Sequence, residues 1–216
     1  MNPIHHQLRD ILKAVPDCVV GPWFVGDGAL LGLVREGRMI EYDDDIDIYL
    51  LPGSYIDTDK LKNKYNLEYQ KYYICDKIYN PKNKKKKLNK WNEYVAYNRH
   101  LPENYGLNKP QLFSESKKNY KDECIIPNFT YPCIDVFYLE DEDKYNYLLP
   151  YYFGNIHFTD YLRFRKQDVQ GHLKTKKLLG VDIPIPHNEK EILTMLYGED
   201  WRTPKKSTFI HFKDKL

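Results

Sequence analysis

The sequence predicts an α+β domain, and three observations carry that expectation. Apolar runs of strand length occur at residues 18–25, 46–51 and 133–139, helical periodicity appears at 3–14 and after Asn188, and the glycine turn Gly26-Asp27-Gly28 joins the first strand to a helix. A chain of 216 residues is long enough to bury a core of its own, at about 150 residues per domain. Residues 1–216 are therefore read as a single domain, with a Lys-rich insertion at about 77–123.

Each element has a local reason. Over 3–14, Ile4, Leu8, Ile11 and Leu12 share one helical face, and Pro16-Asp17 ends the helix. Residues 18–25, rich in Val and aromatics, form a buried strand entering the glycine turn. Residues 29–36 read as helix, and the strand at 46–51 is closed by Pro52-Gly53. A short polar helix is expected at 57–64 and a Tyr-rich strand of alternating exposure at 67–74. From Lys77 to Glu123 periodicity fails, which marks the insertion. Order returns at 133–139, an apolar run broken only by Asp135. Asn188 with Glu191 three residues on resembles a capping box, opening a helix that ends at Tyr197 before Gly198.

Composition narrows the function classes. Thirty-three Lys and Arg face 31 Asp and Glu, so no global field draws the chain to nucleic acid or an anionic membrane. The longest stretch without a formal charge, 145–159, contains Pro150, Gly154 and His157 and falls short of the ~20 apolar residues of a spanning helix. The first ten residues carry His5, His6, Arg9 and Asp10 and have no signal-peptide core. Cys18, Cys75, Cys124 and Cys133 form neither a C-x-x-C pair nor a zinc spacing, so free thiols and a reducing, cytoplasmic setting are expected.

The sharpest chemical feature is Tyr42-Asp43-Asp44-Asp45-Ile46-Asp47-Ile48, four carboxylates feeding an apolar strand. Strand geometry puts Asp43, Asp45 and Asp47 on one face, with alternate residues about 6–7 Å apart, close enough for their side chains to converge on one cation. A solvated acidic turn is the plainer reading, but a carboxylate inside an apolar strand is costly unless paired or metal-bound. An EF-hand calcium loop fails, because its Gly is Ile48 here and its bidentate Glu is Ser54. Asp135, alone in the later apolar strand, supplies a third carboxylate, unless it lies at a sheet edge facing water. Asp45, Asp47 and Asp135 are thus the candidate catalytic residues and the candidate carboxylates of a metal clamp for phosphate.

Candidate substrate-binding residues are Gly26, Gly28, Arg35 and Asp43. Backbone amides of a glycine turn at a helix N-terminus bind phosphate oxygens, and an Arg on the following helix can clamp phosphate bidentately. A plain tight turn and a surface Arg are the competing readings. Lys82, Lys84 to Lys87 and Lys90, with Trp91, Tyr94 and Tyr97 behind them, form a basic and aromatic stripe that reads first as a solvated loop and second as a single-strand nucleic-acid contact. The His and Ser residues show no zinc-protease spacing and no nucleophile elbow.

Residues 23–50 resemble the signature of the LicD and fukutin family, with Gly28, Leu30, Leu31, Gly32, Arg35, Asp43, Asp44, Asp45 and Asp47 matching in order and spacing. Residues 133–137 are similar to the family's later strand with its single Asp, and Tyr197-Gly198-Glu199-Asp200-Trp201-Arg202-Thr203-Pro204 to its closing Tyr-Gly-x-x-Trp-x-x-Pro motif. Asp27 and Ala29 depart from the usual Gly and Ser/Thr, and Glu36 and Tyr42 from a common His and Trp. The resemblance implies a nucleotidyltransferase-like fold with a DNA polymerase beta-type core, a mixed β-sheet flanked by helices. It further implies transfer of a phosphorylated alcohol, of the phosphocholine or ribitol-phosphate type, from a CDP-linked donor to a hydroxyl acceptor such as a glycan. Asp45 and Asp47 would then hold Mg²⁺, Asp135 would complete the site, and the turn at Gly28 with Arg35 would hold the donor phosphates. Two alternatives stand beside this: transfer of a nucleotide itself onto protein or RNA, and a nucleic-acid-binding module with an inactive acidic strand.

Overall fold

A computed structural model gives the structure of the chain. It describes residues 2–41, 43–70, 75–83, 132–144, 146–148, 152–153, 156–157, 163–170 and 173–204. The chain divides into two compact units, Met1–Lys84 with Phe129–Thr203, and Lys85–Asn128 with Pro204–Leu216. Apart from Pro204, the second unit lies outside the described residues, as do most of the Lys and aromatic stripe and Cys124.

The first unit is α+β, built on a five-stranded mixed sheet. Its strands are β2 (Trp23–Val25), β3 (Asp45–Leu50), β5 (Glu68–Gln70), β6 (Asp76–Tyr79) and β7 (Cys133–Tyr138), in the order β2-β3-β7-β6-β5. β3 and β7 are parallel, and every other neighbouring pair is antiparallel. Ile46, Ile48 and Leu50 of β3, Ile134 and Val136 of β7 and Ile78 of β6 share one face of this sheet and are wholly excluded from solvent.

Helix α1 (Pro3–Leu12) packs against β7 through Leu8, Ile11 and Leu12. The Asn2 side chain caps α1 by accepting from the His5 amide at 2.8 Å and donates to the Glu41 carbonyl at 2.8 Å. A short α2 (Val15–Cys18) follows and leads into β1 (Val19–Val20), which pairs with β4 (Tyr55–Ile56). The expected strand at 18–25 is therefore two strands, since Gly21 at φ +97° and Pro22 turn the chain between them. Helix α3 (Asp27–Arg35) begins two residues before the expected start, which makes Gly26 its N-cap, and it packs on β3.

Gly32 is needed for close approach. A methyl group there would stand 2.7 Å from the Arg38 carbonyl oxygen and 2.9 Å from the Ile40 nitrogen, both backbone atoms of the turn that carries the chain toward Asp43. Helix α4 (Thr58–Tyr65) is capped by Asp57, and Asn66 at φ +54° ends it.

Two sequence expectations need correcting. The irregular stretch does not begin at Lys77, because Asp76–Tyr79 is the strand β6, seated between β5 and β7. The expected Tyr-rich strand at 67–74 is β5 over 68–70, and its remainder, 71–74, lies outside the described residues.

Smaller strands complete the unit: β8 (Glu140–Asp141), β9 (Asn146–Leu148) and β12 (Arg163–Arg165) form one sheet, and β10 (Tyr152–Phe153) pairs with β11 (Ile156–His157). β13 (Lys174–Leu178) and β14 (Val181–Ile185) make a hairpin around Leu179-Gly180. A one-turn helix, α5 (Lys166–Val169), and a longer α6 (Glu189–Tyr197) close the fold, with α6 against α3. The capping box at α6 does not form. Asn188 is the N-cap residue, but its side chain donates to the buried Asp168 carboxylate at 2.9 Å instead.

Candidate active site

Register decides what stands beside what. Asp47 of β3 lies opposite Asp135 of β7, which lies opposite Lys77 of β6. One step toward the N-terminus of β3, Asp45 lies opposite Cys133, which faces Tyr79. One step the other way, Tyr49 stands between Phe24 and Phe137, its ring stacked on both at centroid distances of 5.3 and 5.1 Å. With a strand period of two, all these residues share one face of the sheet. An acidic patch thus adjoins a row of stacked aromatic rings, which Phe164 meets at 5.2 Å from the Tyr49 centroid.

The third carboxylate has a partner that the sequence reading did not identify. Lys77 Nζ donates to both oxygens of Asp135, at 2.6 and 2.7 Å, and the two residues are each 9 % exposed. The thiols of Cys75 and Cys133 donate to the same carboxylate at 3.3 and 3.4 Å. Burial and the adjacent carboxylate push both thiols above their usual range. Cys18, Cys75 and Cys133 are all free and buried. Period-two alternation was the one available signal for Lys77, since it shares a face with Tyr79 while Asp76 and Ile78 share the other.

Asp45 and Asp47 are half-buried. Burial raises both carboxyls well above the ordinary range, and neighbouring carboxylates raise them further: Asp135 and Asp43 act on Asp45, and Asp27 and Asp45 act on Asp47. Burial pushes Asp43 up to about 6, against a hydrogen bond with Asp45. Asp27 is likewise pushed up to about 6 by burial, against the hydrogen bond it accepts from the Tyr49 hydroxyl.

Carboxylates this close need protons or a cation between them. Their hard oxygen donors suit Mg²⁺ or Mn²⁺, which protein sites bind through one or two carboxylates with substrate phosphates filling the remaining positions. Among the described residues, no three His, Cys, Asp or Glu side chains are gathered closely enough to enclose an ion. Asp45 and Asp47 supply the two carboxylates that such an ion would take from the protein.

Gly26 and Gly28 stand where the sequence places them, at the start of α3. The Gly26 amide donates to the Asp47 carbonyl at 3.0 Å, tying the helix start to the acidic strand, and a side chain at Gly26 would strike the Tyr49 ring at 2.2 Å. Gly26 has no side chain to cap the first amides of α3. Asp27 adopts φ +41°, a conformation that favours glycine. At Gly28, an added methyl would stand 2.7 Å from Asp43 Oδ2, so the missing side chain is what lets Asp43 approach.

Arg35 is not brought to this cradle. It ends α3, about 12 Å along the helix from Asp27 at about 1.5 Å per residue, and its guanidinium is bound by Glu36 at 2.6 Å. Tyr197, at the end of α6, does come near: burial, with the field of Asp27, Asp47, Asp43 and Asp45, holds its phenol above the usual range. No helix among the described residues is long and apolar enough to cross a membrane.

The mixed sheet carries paired carboxylates beside a helix with Gly26 at its N-cap, and comparison with known families identifies the domain that has this frame. Residues 21–188 match the family model described as LicD/FKTN/FKRP, nucleotidyltransferase domain. The chain belongs to the LicD/FKTN/FKRP family. The matched span includes Gly26, Gly28, Asp45, Asp47, Lys77 and Asp135 and ends before α6. No curated protein matches the chain.

Proposed function

We propose that the chain is a metal-dependent phosphotransferase that moves a phosphorylated alcohol, of the phosphocholine or ribitol-phosphate type, from a CDP-linked donor onto a hydroxyl acceptor, a glycan or a small molecule. The observation that carries this reading is the meeting of Asp45 and Asp47 with the uncapped start of α3 on one end of the sheet. The core is read as the nucleotidyltransferase type related to DNA polymerase beta.

Asp45 and Asp47 would hold Mg²⁺ or Mn²⁺, and the ion would supply neutralisation of diphosphate charge. The amides at Gly28 receive donor phosphate oxygens, and Asp43 borders the same pocket. Asp135, fixed by Lys77, orients the acceptor hydroxyl or takes its proton. The hydroxyl oxygen forms a new bond to the phosphorus that bears the alcohol, the bond from that phosphorus to CMP breaks, and CMP leaves. Arg35, tied to Glu36, takes part only if the donor extends to the far end of α3.

A second reading, nucleotidyl transfer from a nucleoside triphosphate onto protein or RNA, is favoured by the family description itself. The leaving group separates the two: CMP from a CDP-alcohol, or pyrophosphate from a triphosphate. Asp45→Asn, Asp47→Asn and Asp135→Asn are each expected to abolish turnover. A near-normal rate in any of them would remove that residue from the mechanism. Before the acceptor is found, thermal shifts with Mg²⁺ and CDP, UDP, GDP or ADP test donor binding. A ligand at 100 times its dissociation constant adds about 2.7 kcal/mol, or roughly 5–10 °C, and the shift should vanish in Asp45→Asn.

A further inference from the structure

We infer that Lys77 is a built-in cation of the active site, so that the site takes one divalent ion rather than two. The inference deepens the phosphotransferase reading and rests on it. In two-metal sites the ions lie about 3.5–4 Å apart, and a second ion needs a further carboxylate beside those that hold the first. Asp135, in register with Asp47 on the neighbouring parallel strand, is the further carboxylate on this sheet face. Its two oxygens are instead occupied by one ammonium group, at 2.6 and 2.7 Å, and two thiols stand around the same carboxylate.

Lys77 and Asp135 are each 9 % exposed, so separating them would leave two charges buried without compensation. The register leaves no slack: Lys77 and Asp135 are direct cross-strand partners between β6 and β7, and the side chain reaches its acceptor without leaving the sheet face. Lys77 thus provides the fixed positive charge that a second ion would bring. It holds Asp135 in place from the neighbouring strand and acts as a positioning residue, leaving Asp45 and Asp47 as the pair open to a metal.

The test uses the full chain and Mn²⁺ alone, with bound and free ion counted by electron paramagnetic resonance. Wild type should bind one Mn²⁺ per chain, and so should Lys77→Arg, which keeps the charge. Lys77→Met frees Asp135 and should bind two. If Lys77→Met fails to fold by circular dichroism, Asp135→Asn decides: it should still bind one ion, with affinity within about a hundredfold of wild type, because Asp135 is not a ligand. Two ions in wild type, one ion in a folded Lys77→Met, or a larger loss of affinity in Asp135→Asn would each overturn the inference while leaving a metal-dependent transferase standing. No Mn²⁺ bound by wild type would overturn both.

Discussion

Replacing Gly32 by Ala tests whether the turn before the acidic strand is seated as the structure shows. Helix propensity alone predicts a gain of about 1 kcal/mol for Gly→Ala in a helix interior. Packing opposes it, because the new methyl would stand 2.7 Å from the Arg38 carbonyl oxygen, 2.9 Å from the Ile40 nitrogen and 3.0 Å from Ile40 Cγ1. Two of these are backbone atoms, which cannot rotate away as a flexible side-chain tip can. Overpacking of this kind costs about 1–3 kcal/mol, and two backbone contacts under 3.0 Å place this case in the upper half of that range. The net loss is about 1–2 kcal/mol, or roughly 2–8 °C in melting temperature at about 2–4 °C per kcal/mol. Circular dichroism melts in EDTA read this directly. Displacement of the turn also moves Asp43, so Mn²⁺ affinity should fall in the same variant. A melting temperature equal to or above that of wild type would mean that propensity wins and that the turn is not packed on α3 at this glycine.

Other outcomes follow from the same site. Gly28→Ala meets only the tip of Asp43, so its melting temperature should stay within about 2 °C of wild type, while donor-nucleotide affinity falls; a collapse of stability would contradict the geometry. Asp47→Asn removes one of several mutually repelling, half-buried carboxylates, and should raise the metal-free melting temperature by about 2–6 °C while abolishing turnover; a lower melting temperature would refute the repulsion. In EDTA, stability should fall as pH rises from 5 to 7.5. Asp27 and Asp43 titrate at about 6 in the folded chain and near 3.8 unfolded, so the folded state holds more protons across that window. Asp17, held low by Lys60, Lys64 and Tyr65, loses its contribution only at pH values below this window. Higher stability at pH 7.5 than at pH 5 without metal would refute this sign. Asn188→Ala takes a donor from the 2 % exposed Asp168 and should cost about 1–3 kcal/mol, measured by urea denaturation.

What the sequence revealed was local. Four carboxylates entering Ile46 and Ile48, and a lone Asp135 in an apolar run, are patterns a short window displays, and β3 and β7 lie where those windows put them. The strand β6 escaped because Asp76 and Lys77 read as polar loop, and the reason Lys77 can be buried is a carboxylate 58 positions away. The hairpin of β13 and β14 escaped for a related reason: Lys174 to Lys177 are all exposed, and Pro184 reads as a breaker although a two-stranded ribbon has an edge free to accept it. At Asn188 the local capping rule pointed correctly to the helix start, but the buried Asp168 claimed the side chain. Arg35 illustrates distance along a helix. Its spacing from the glycine turn looked suitable, yet nine helical residues carry it to the other end of α3.

The parallel pairing of β3 with β7 also sets the order in which the protein can come together during synthesis. Asp47 and Asp135, direct partners in the sheet, are 88 positions apart in the chain. At about 5–20 residues per second, a ribosome needs roughly 4–18 s to travel from one to the other. Through that interval the nascent chain carries Asp43, Asp44, Asp45 and Asp47 without the strand that completes their side of the sheet or the helix α6 that covers α3. The antiparallel pair β2 and β3, joined through α3, can form early, whereas the central junction waits for the second half, and distant pairings of this sort slow folding because loop closure precedes their reward. The same arithmetic makes the intervening length cheap to change, since doubling a closed loop costs only about 0.6 kcal/mol.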